Sequence, residues 1–334
     1  MGDVAPDQWY RFGDGYLVIR SEHLPFRSQF ERLFAGCGVP PVQDGTATIV
    51  RCHIAVHGDE SVIRFDDPQP LDVIAFAEQL FADRGVRECD TAAPTGRAFG
   101  VTSPSGDVVI DVRDEALVAS NRQSWEWLAG NIAVHRVLRL QPHLAVLHAG
   151  AVSIDNTGVL LAGGKGSGKT TLSLAIAARG HGFLADEMAA LRLDTRELLP
   201  LRRSVSIRPG PGSRRVAAAV SQGGLAQEDF PDGPRVRVPI EALFPDNVAA
   251  PVRLGAIVFM RRVQSAPALE RMAPQRDHLR WLTPVSSTLW GQPPSGRAIR
   301  LLGILSGARC FRLDAGDPDE TAALVEKTIV ASWD

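Results

Sequence analysis

The chain has 334 residues, 45% of them hydrophobic, enough to bury a large core and to form about two domains. Its 36 Lys+Arg and 38 Asp+Glu leave a formal net charge of −2, and the arginines are scattered among acids, which argues against a nucleic-acid or membrane-surface partner. No run approaches the ~18 apolar residues of a membrane span, no signal-type N-terminus is evident, and Pro6 stands where myristoylation wants Ser or Thr, so a cytoplasmic protein is expected.

Residues 1 to about 115 read as a mixed α+β domain. Strand patterns cover 16–20, 47–56, 61–65 and 107–112, and helical spacing covers 27–35 and 71–84. His53 and His57 have the spacing of a metal pair on a helix. In a strand, four residues separate their side chains by about 13 Å, so both are read as structural. Cys37, Cys52, Cys89 and Cys310 are far apart with no C-x-x-C, which leaves reduced thiols as the simple reading. A substrate-recognition role is open to this domain, although it carries no chemical motif.

The second domain is expected over 116–334. A helical stretch from about Glu115 to Leu140 leads into a strand over 144–154, a turn at Asp155-Asn156-Thr157-Gly158, and a buried strand over 159–162. Two strands joined by so short a turn must be antiparallel neighbours, unlike the parallel sheets of common nucleotide-binding folds. Gly163-Gly164-Lys165-Gly166-Ser167-Gly168-Lys169-Thr170 then matches G-x-x-x-x-G-K-[ST], with Thr171 opening a helix behind it. Only three residues in the chain are lysine, and Lys165 and Lys169 are two of them. In a chain that otherwise uses arginine for positive charge, Lys169 is read as chosen for its compact ammonium, which fits inside a ring of backbone N–H groups. The glycines let the backbone approach a pyrophosphate, Lys169 reaches the β and γ phosphates, and the Thr170 hydroxyl can ligate Mg²⁺.

The loop helix stops at Arg179-Gly180-His181-Gly182, and Phe183-Leu184-Ala185 runs at once into Asp186 and Glu187. An acid at a strand end beside a phosphate loop can hold Mg²⁺ or take a proton from an acceptor hydroxyl. A hairpin is expected around 194–196, strands over 205–208 and 254–260, and two helices, 296–310 and 318–331, around a strand at 310–313. Residues 209–238, rich in Gly, Pro, Ser and Arg, read as an irregular lid or binding loop. Arg208, Arg235 and Arg237 are candidates to reach a transferred phosphoryl group or an acidic substrate.

Together, Leu147-His148-Ala149-Gly150-Ala151, the loop 163–170 and the stretch 179–187 resemble the HPr kinase/phosphorylase superfamily. The nearest resemblance is to HPr-kinase-related proteins of bacterial biosynthetic clusters, including lasso-peptide serine kinases. It is specific over about 140–210 and weaker to about 315. The fold it implies is an α/β, phosphoenolpyruvate carboxykinase-like P-loop core with a mixed, largely antiparallel sheet. It implies ATP in the loop 163–170, with Mg²⁺ on Thr170, Asp186 and Glu187. His148 would stand beside the phosphates, and one acid of the Asp186–Glu187 pair would act as base. Glu187 stands where HPr enzymes use Asp, and no copy of their downstream signature loop is seen, which makes HPr itself a poor substrate choice. The resemblance also admits a homo-oligomer.

The leading expectation is an ATP-dependent kinase acting on a hydroxyl, foremost a serine of a peptide or small protein. A small-molecule kinase and a non-catalytic ATP-binding switch are the alternatives.

Overall fold

The computed structural model describes residues 6–43, 45–57, 60–66, 87–89, 98–103, 106–113, 116–120, 125–164, 166–208, 212–225, 233–247, 250–273, 282 and 294–332. The chain forms two compact units, 1–141 and 142–334, so the division falls after Gln141 rather than at 115/116. The helix expected over 71–84 and the loop residue Lys165 lie outside the described residues. The protein is mixed α/β with several sheets.

The first unit is built on β1 (Gln8–Phe12), β2 (Gly15–Ser21), α1 (Leu24–Phe34), β3 (Ile49–His57), β4 (Glu60–Asp66), β5 (Arg87–Cys89), β6 (Ala98–Ser103), β7 (Gly106–Arg113), β8 (Ala116–Ser120) and α2 (Trp125–Arg139). Its eight strands lie in the order β1-β2-β3-β4-β8-β7-β6-β5. Among the described strands of this unit only β2 and β3 pair in parallel, because α1 supplies the crossover that parallel neighbours need. His23 caps α1 by accepting from the Phe26 N–H, and Pro25 occupies its first turn. Phe26, Phe30, Leu33 and Phe34 recur at helical spacing and are buried, with Phe30 edge-on to Tyr10 at 4.8 Å. The helical pattern read from Glu115 onward is corrected. Residues 116–120 pair with both β4 and β7 as a strand, and the helix begins only at Trp125. A five-residue apolar run carries too little period to separate it from the helix that follows. Gln141 ends the unit as a clamp, accepting from the Asp14 N–H and donating to the Phe12 and Val137 carbonyls.

The second unit comprises β9 (Leu144–Leu147), β10 (Gly150–Ile154), β11 (Thr157–Ala162), α3 (Lys169–Ala177), β12 (Gly182–Ala185), β13 (Ala189–Arg192), β14 (Glu197–Leu199), β15 (Val205–Ile207), α4 (Arg214–Gln222), β16 (Val236–Val238), α5 (Ile240–Leu243), β17 (Val252–Val263), β18 (Ala268–Met272), α6 (Pro294–Ser306), β19 (Arg309–Ala315) and α7 (Pro318–Ala331). The expected hairpin is β10–β11. Its two turn residues, Asp155 and Asn156, both have positive φ (47° and 57°), the left-handed pair that a two-residue hairpin demands and that Asp and Asn tolerate. On its other side β11 runs parallel to β17, which is also parallel to β19, so the sheet is mixed. β14 joins β17 to β13, and β13 pairs with β9.

Helix α3 is apolar on nearly all sides and is buried accordingly. Leu172, Ala175 and Ile176 enter a core with Val159, Leu161, Phe311 and Val325. Leu174 and Ala177 enter a second core with Phe183, Val205, Val216 and Ile240. The irregular reading of 209–238 is also corrected. Within it Ser213 caps the amphipathic helix α4, and residues 236–238 pair with β15. Only 209–211 and 226–232 lie outside the described residues.

Asn247 closes the start of the outer side of β12, ahead of the bridge that Leu201 makes with Ala185. Its side chain accepts from the Phe183 N–H at 2.9 Å and donates to the His181 carbonyl at 2.6 Å, substituting for a strand neighbour. Asn247→Ala leaves both groups without these bonds and is expected to cost about 2 kcal/mol, which urea unfolding would measure. A loss below about 0.5 kcal/mol would show that water replaces the amide there.

Candidate active site

The stretch 144–154, expected as one strand, is two. β9 pairs with β13 through Leu147 and Ala189, and β10 pairs with β12 through Ala151 and Ala185. The pairs that flank the gap, Leu147 with Ala189 and Ala151 with Ala185, share one register before a bulge at Ala151/Val152 shifts the rest of β10 against β12, so these are two long antiparallel strands opened in their middle. The opening holds His148 and Ala149 on one strand and Asp186, Glu187 and Met188 on the other. Two local features keep it open. The Ala149 N–H bonds back to the Leu147 carbonyl at 2.8 Å, and Glu187 adopts φ of 65°, which carries its side chain away from the ladder.

Beside this opening β11 ends and the glycine loop begins. Gly166 and Gly168 have φ of 80° and 91°, and Gly168 is the residue from which α3 starts. Gly163 is required for a different reason: a Cβ there would lie 2.6 Å from the Ser167 hydroxyl and 3.0 Å from the Met260 carbonyl. Gly150 is likewise confined, with Ser173 of α3 only 2.6 Å from where its Cβ would be. Small residues on β10 thus let the helix settle close to the sheet and bring its first turn to the opened strands.

Lys169 is 7% exposed and donates to the Gly163 and Gly164 carbonyls at 2.8 and 3.0 Å. Burial lowers its pKa, while Asp186 and then Glu187 oppose the shift. Thr170 donates its hydroxyl to Asp186, 3.0 Å from Oδ1 and 2.9 Å from Oδ2. Asp186 is 6% exposed. Burial, with the nearby Glu187 charge, raises its pKa to about 6 against the pull of Thr170, Arg203 and Lys169. Glu187 is exposed and pairs with Arg203 at 2.9 Å. Solvent reaches His148 on one side, yet desolvation of the ring, then the Lys169 ammonium, lowers its pKa; Glu187 pulls the other way through its charge and a backbone hydrogen bond.

The structure therefore brings together Lys169, Thr170, Asp186, Glu187 and His148, with Gly163, Gly164, Gly166, Ser167, Gly168 and Thr171 around them. Arg235 is drawn toward the same place: its pKa is lowered by burial and by Arg208, and raised by Glu187. Arg237 lies on β16 opposite Ser206. Arg203 belongs to the cluster and is absent from any motif. The cue to it is tertiary, since Leu201 pairs alongside Ala185 and so carries residue 203 past the acid pair.

The donor set suits a small hard cation. Thr170 and Asp186 offer adjacent oxygens, and among the described residues no group of three or more His, Cys, Asp or Glu side chains forms an all-protein metal cage. Mg²⁺ is commonly held in this way, by one or two carboxylates plus substrate phosphates. The Ser167 hydroxyl is buried without a hydrogen-bond partner among the described residues, an unmet polar group inside the loop. No helix among the described residues is long and apolar enough to cross a membrane.

No protein-family model matches the chain, and no curated protein matches it. Among solved structures it is similar to the Hpr(Ser) kinase/phosphatase from Coxiella burnetii, at 15% identity over 56% of this chain and 90% of that one. The TM-score of 0.30 is too slight a likeness to assign fold or function.

Proposed function

We propose that the protein is an ATP-dependent, Mg²⁺-requiring kinase that transfers the γ-phosphoryl group to a hydroxyl, foremost a serine of a peptide or small protein. The observation that carries this reading is the Thr170–Asp186 hydrogen bond, which joins the start of the helix behind the glycine loop to a buried carboxylate. Bound between these oxygens and the nucleotide, Mg²⁺ would neutralise phosphate charge. Lys169, now on the loop carbonyls, is within reach of phosphates seated in that loop, and the N–H groups opening α3 face the same anion. Phosphoryl transfer asks mainly for positioning and electrostatic stabilisation, with modest help from a base.

The two acids have different surroundings and so different work. Asp186, buried against Thr170, is the metal-side carboxylate. Glu187, exposed and turned outward, is the acceptor-side carboxylate that takes the hydroxyl proton as the oxygen attacks phosphorus. Arg203 orients it, and His148 fixes the backbone it stands on. A peptide acceptor is favoured over a metabolite by the openness of this side, where Glu187, His148 and Arg208 all reach solvent.

The test is transfer of label from [γ-³²P]ATP to candidate serine peptides, with a metabolite panel read in parallel by mass spectrometry. Glu187→Gln is expected to keep Mg²⁺-dependent ATP binding within about threefold while slowing transfer by roughly 10²-fold, the usual contribution of a positioned base. Unchanged transfer in that variant would move the base role elsewhere. Tight ATP binding with no transfer to any acceptor would favour a nucleotide-binding switch.

A further inference from the structure

At the end of β13 away from Glu187, roughly 10 Å along the strand from Ala189, the second unit has a cleft of about 220 Å³. Arg192, Arg196 and Arg300 line it over a floor of Leu191, Leu254 and Ile304. Among the described residues, none that lines it is acidic. The nearby carboxylate, Glu197, already accepts from Arg192 and from the Thr195 hydroxyl, both at 2.9 Å.

Arg196 is held there by a strained backbone. It has φ of 60°, unusual for a residue with a long side chain, and its carbonyl accepts from the Leu254 N–H at 2.7 Å. Its guanidinium occupies the space a side chain at residue 307 would need, with Nη1 2.0 Å from where a Cβ on Gly307 would stand. Across the cleft, α6 presents Arg300, which donates to the Pro142 carbonyl at 3.3 Å, and Gly303, which leaves the wall open.

Arg196 and Arg300 line the cleft beside Leu191, Leu254 and Ile304, with Arg192 paired to Glu197 at its edge, and this lining matches one ligand chemistry. We infer that this cleft binds an amphiphilic organic anion, with its carboxylate or phosphate on the arginines and its hydrocarbon body on Leu191, Leu254 and Ile304. The inference is independent of the kinase reading. The same chemistry can come from a free small amphiphile or from an acidic residue flanked by hydrophobic ones on a peptide.

The experiment uses the full chain and calorimetric titration with octanoate, octanol, acetate and a Leu-Glu-Leu-containing hexapeptide. Octanoate or the peptide is expected to bind with Kd below about 1 mM, and acetate and octanol at least tenfold more weakly. The tighter of the two binders identifies the source. Arg196→Gln and Arg300→Gln are each expected to weaken binding at least tenfold. Gly303→Leu tests the cleft without touching an arginine: a Cβ at that position meets nothing within 4 Å, so the variant keeps the fold and fills the space. Octanol binding as tightly as octanoate, no binding by either anion, or undiminished binding in both Arg300→Gln and Gly303→Leu would overturn the inference.

Discussion

Lys169→Ala is expected to abolish ATP-dependent phosphoryl transfer, with a fall of at least about 10²- to 10³-fold, the scale on which a single preorganised charge donor contributes to a transition state. Lys169→Arg is expected to fail nearly as badly. The ammonium sits in a space 7% exposed and donates to two adjacent loop carbonyls, and a planar guanidinium on a longer stem cannot do this without displacing the loop. The fold should survive both changes. Burial already disfavours the charged lysine, so its removal relieves a cost as well as losing two hydrogen bonds. Lys169→Met, matched in shape and uncharged, is the control for folding. Single-turnover label transfer and thermal melting together read the result. Transfer within threefold of wild type in the alanine variant would remove the glycine loop from the reaction.

Asp186→Asn is expected to inactivate the protein and to stabilise it. The folded state binds a proton at Asp186 more tightly than the unfolded chain does, because burial and then the Glu187 charge raise its pKa from 3.8 to about 6. Holding the carboxylate ionised therefore costs the fold roughly 3 kcal/mol above pH 6. The cost fades as pH falls from about 6 toward 4, and it is absent below the unfolded value. Asparagine never ionises and can still accept from Thr170. At pH 8 the variant is expected to melt roughly 5–10 °C higher than wild type, with the gain shrinking as pH approaches 4. Mg²⁺-dependent ATP binding should fall at the same time, since the oxygen pair with Thr170 loses its charge. A variant that melts lower than wild type, or whose gain is the same at pH 8 and pH 4, would mean that the carboxylate is a structural hydrogen-bonding group and carries no stored cost. Such a cost, kept at a buried acid beside the helix start, is the pattern of a site built for a ligand rather than for stability.

Much of the candidate site was legible along the chain because its parts lie close in sequence. The loop 163–170, the helix behind it and the acids at 186–187 span fewer than thirty residues, and each local signal has a local cause. Glycines supply positive φ, an apolar run makes the strand before them, and Arg179-Gly180 stops the helix. The β10–β11 hairpin is equally local, since Asp155 and Asn156 are residues that accept the left-handed turn. What failed was also systematic. Residues 116–120 look helical beside the helix they precede, and 144–154 looks like one strand because both halves are apolar. No residue in that stretch announces that the ladder opens at His148.

Sequence alone determined that this chain has a phosphate-loop pattern, an antiparallel strand pair before it and an acid pair soon after it. Each of these depends on backbone preferences acting over a few residues. Only the tertiary structure decided that the two long strands part at their centre, that Asp186 turns inward onto Thr170 while Glu187 turns outward, and that Arg203 completes the cluster. Those outcomes depend on which strand lies beside which, and on the differing solvation of two adjacent carboxylates. Neither is encoded in the spacing of residues along the chain.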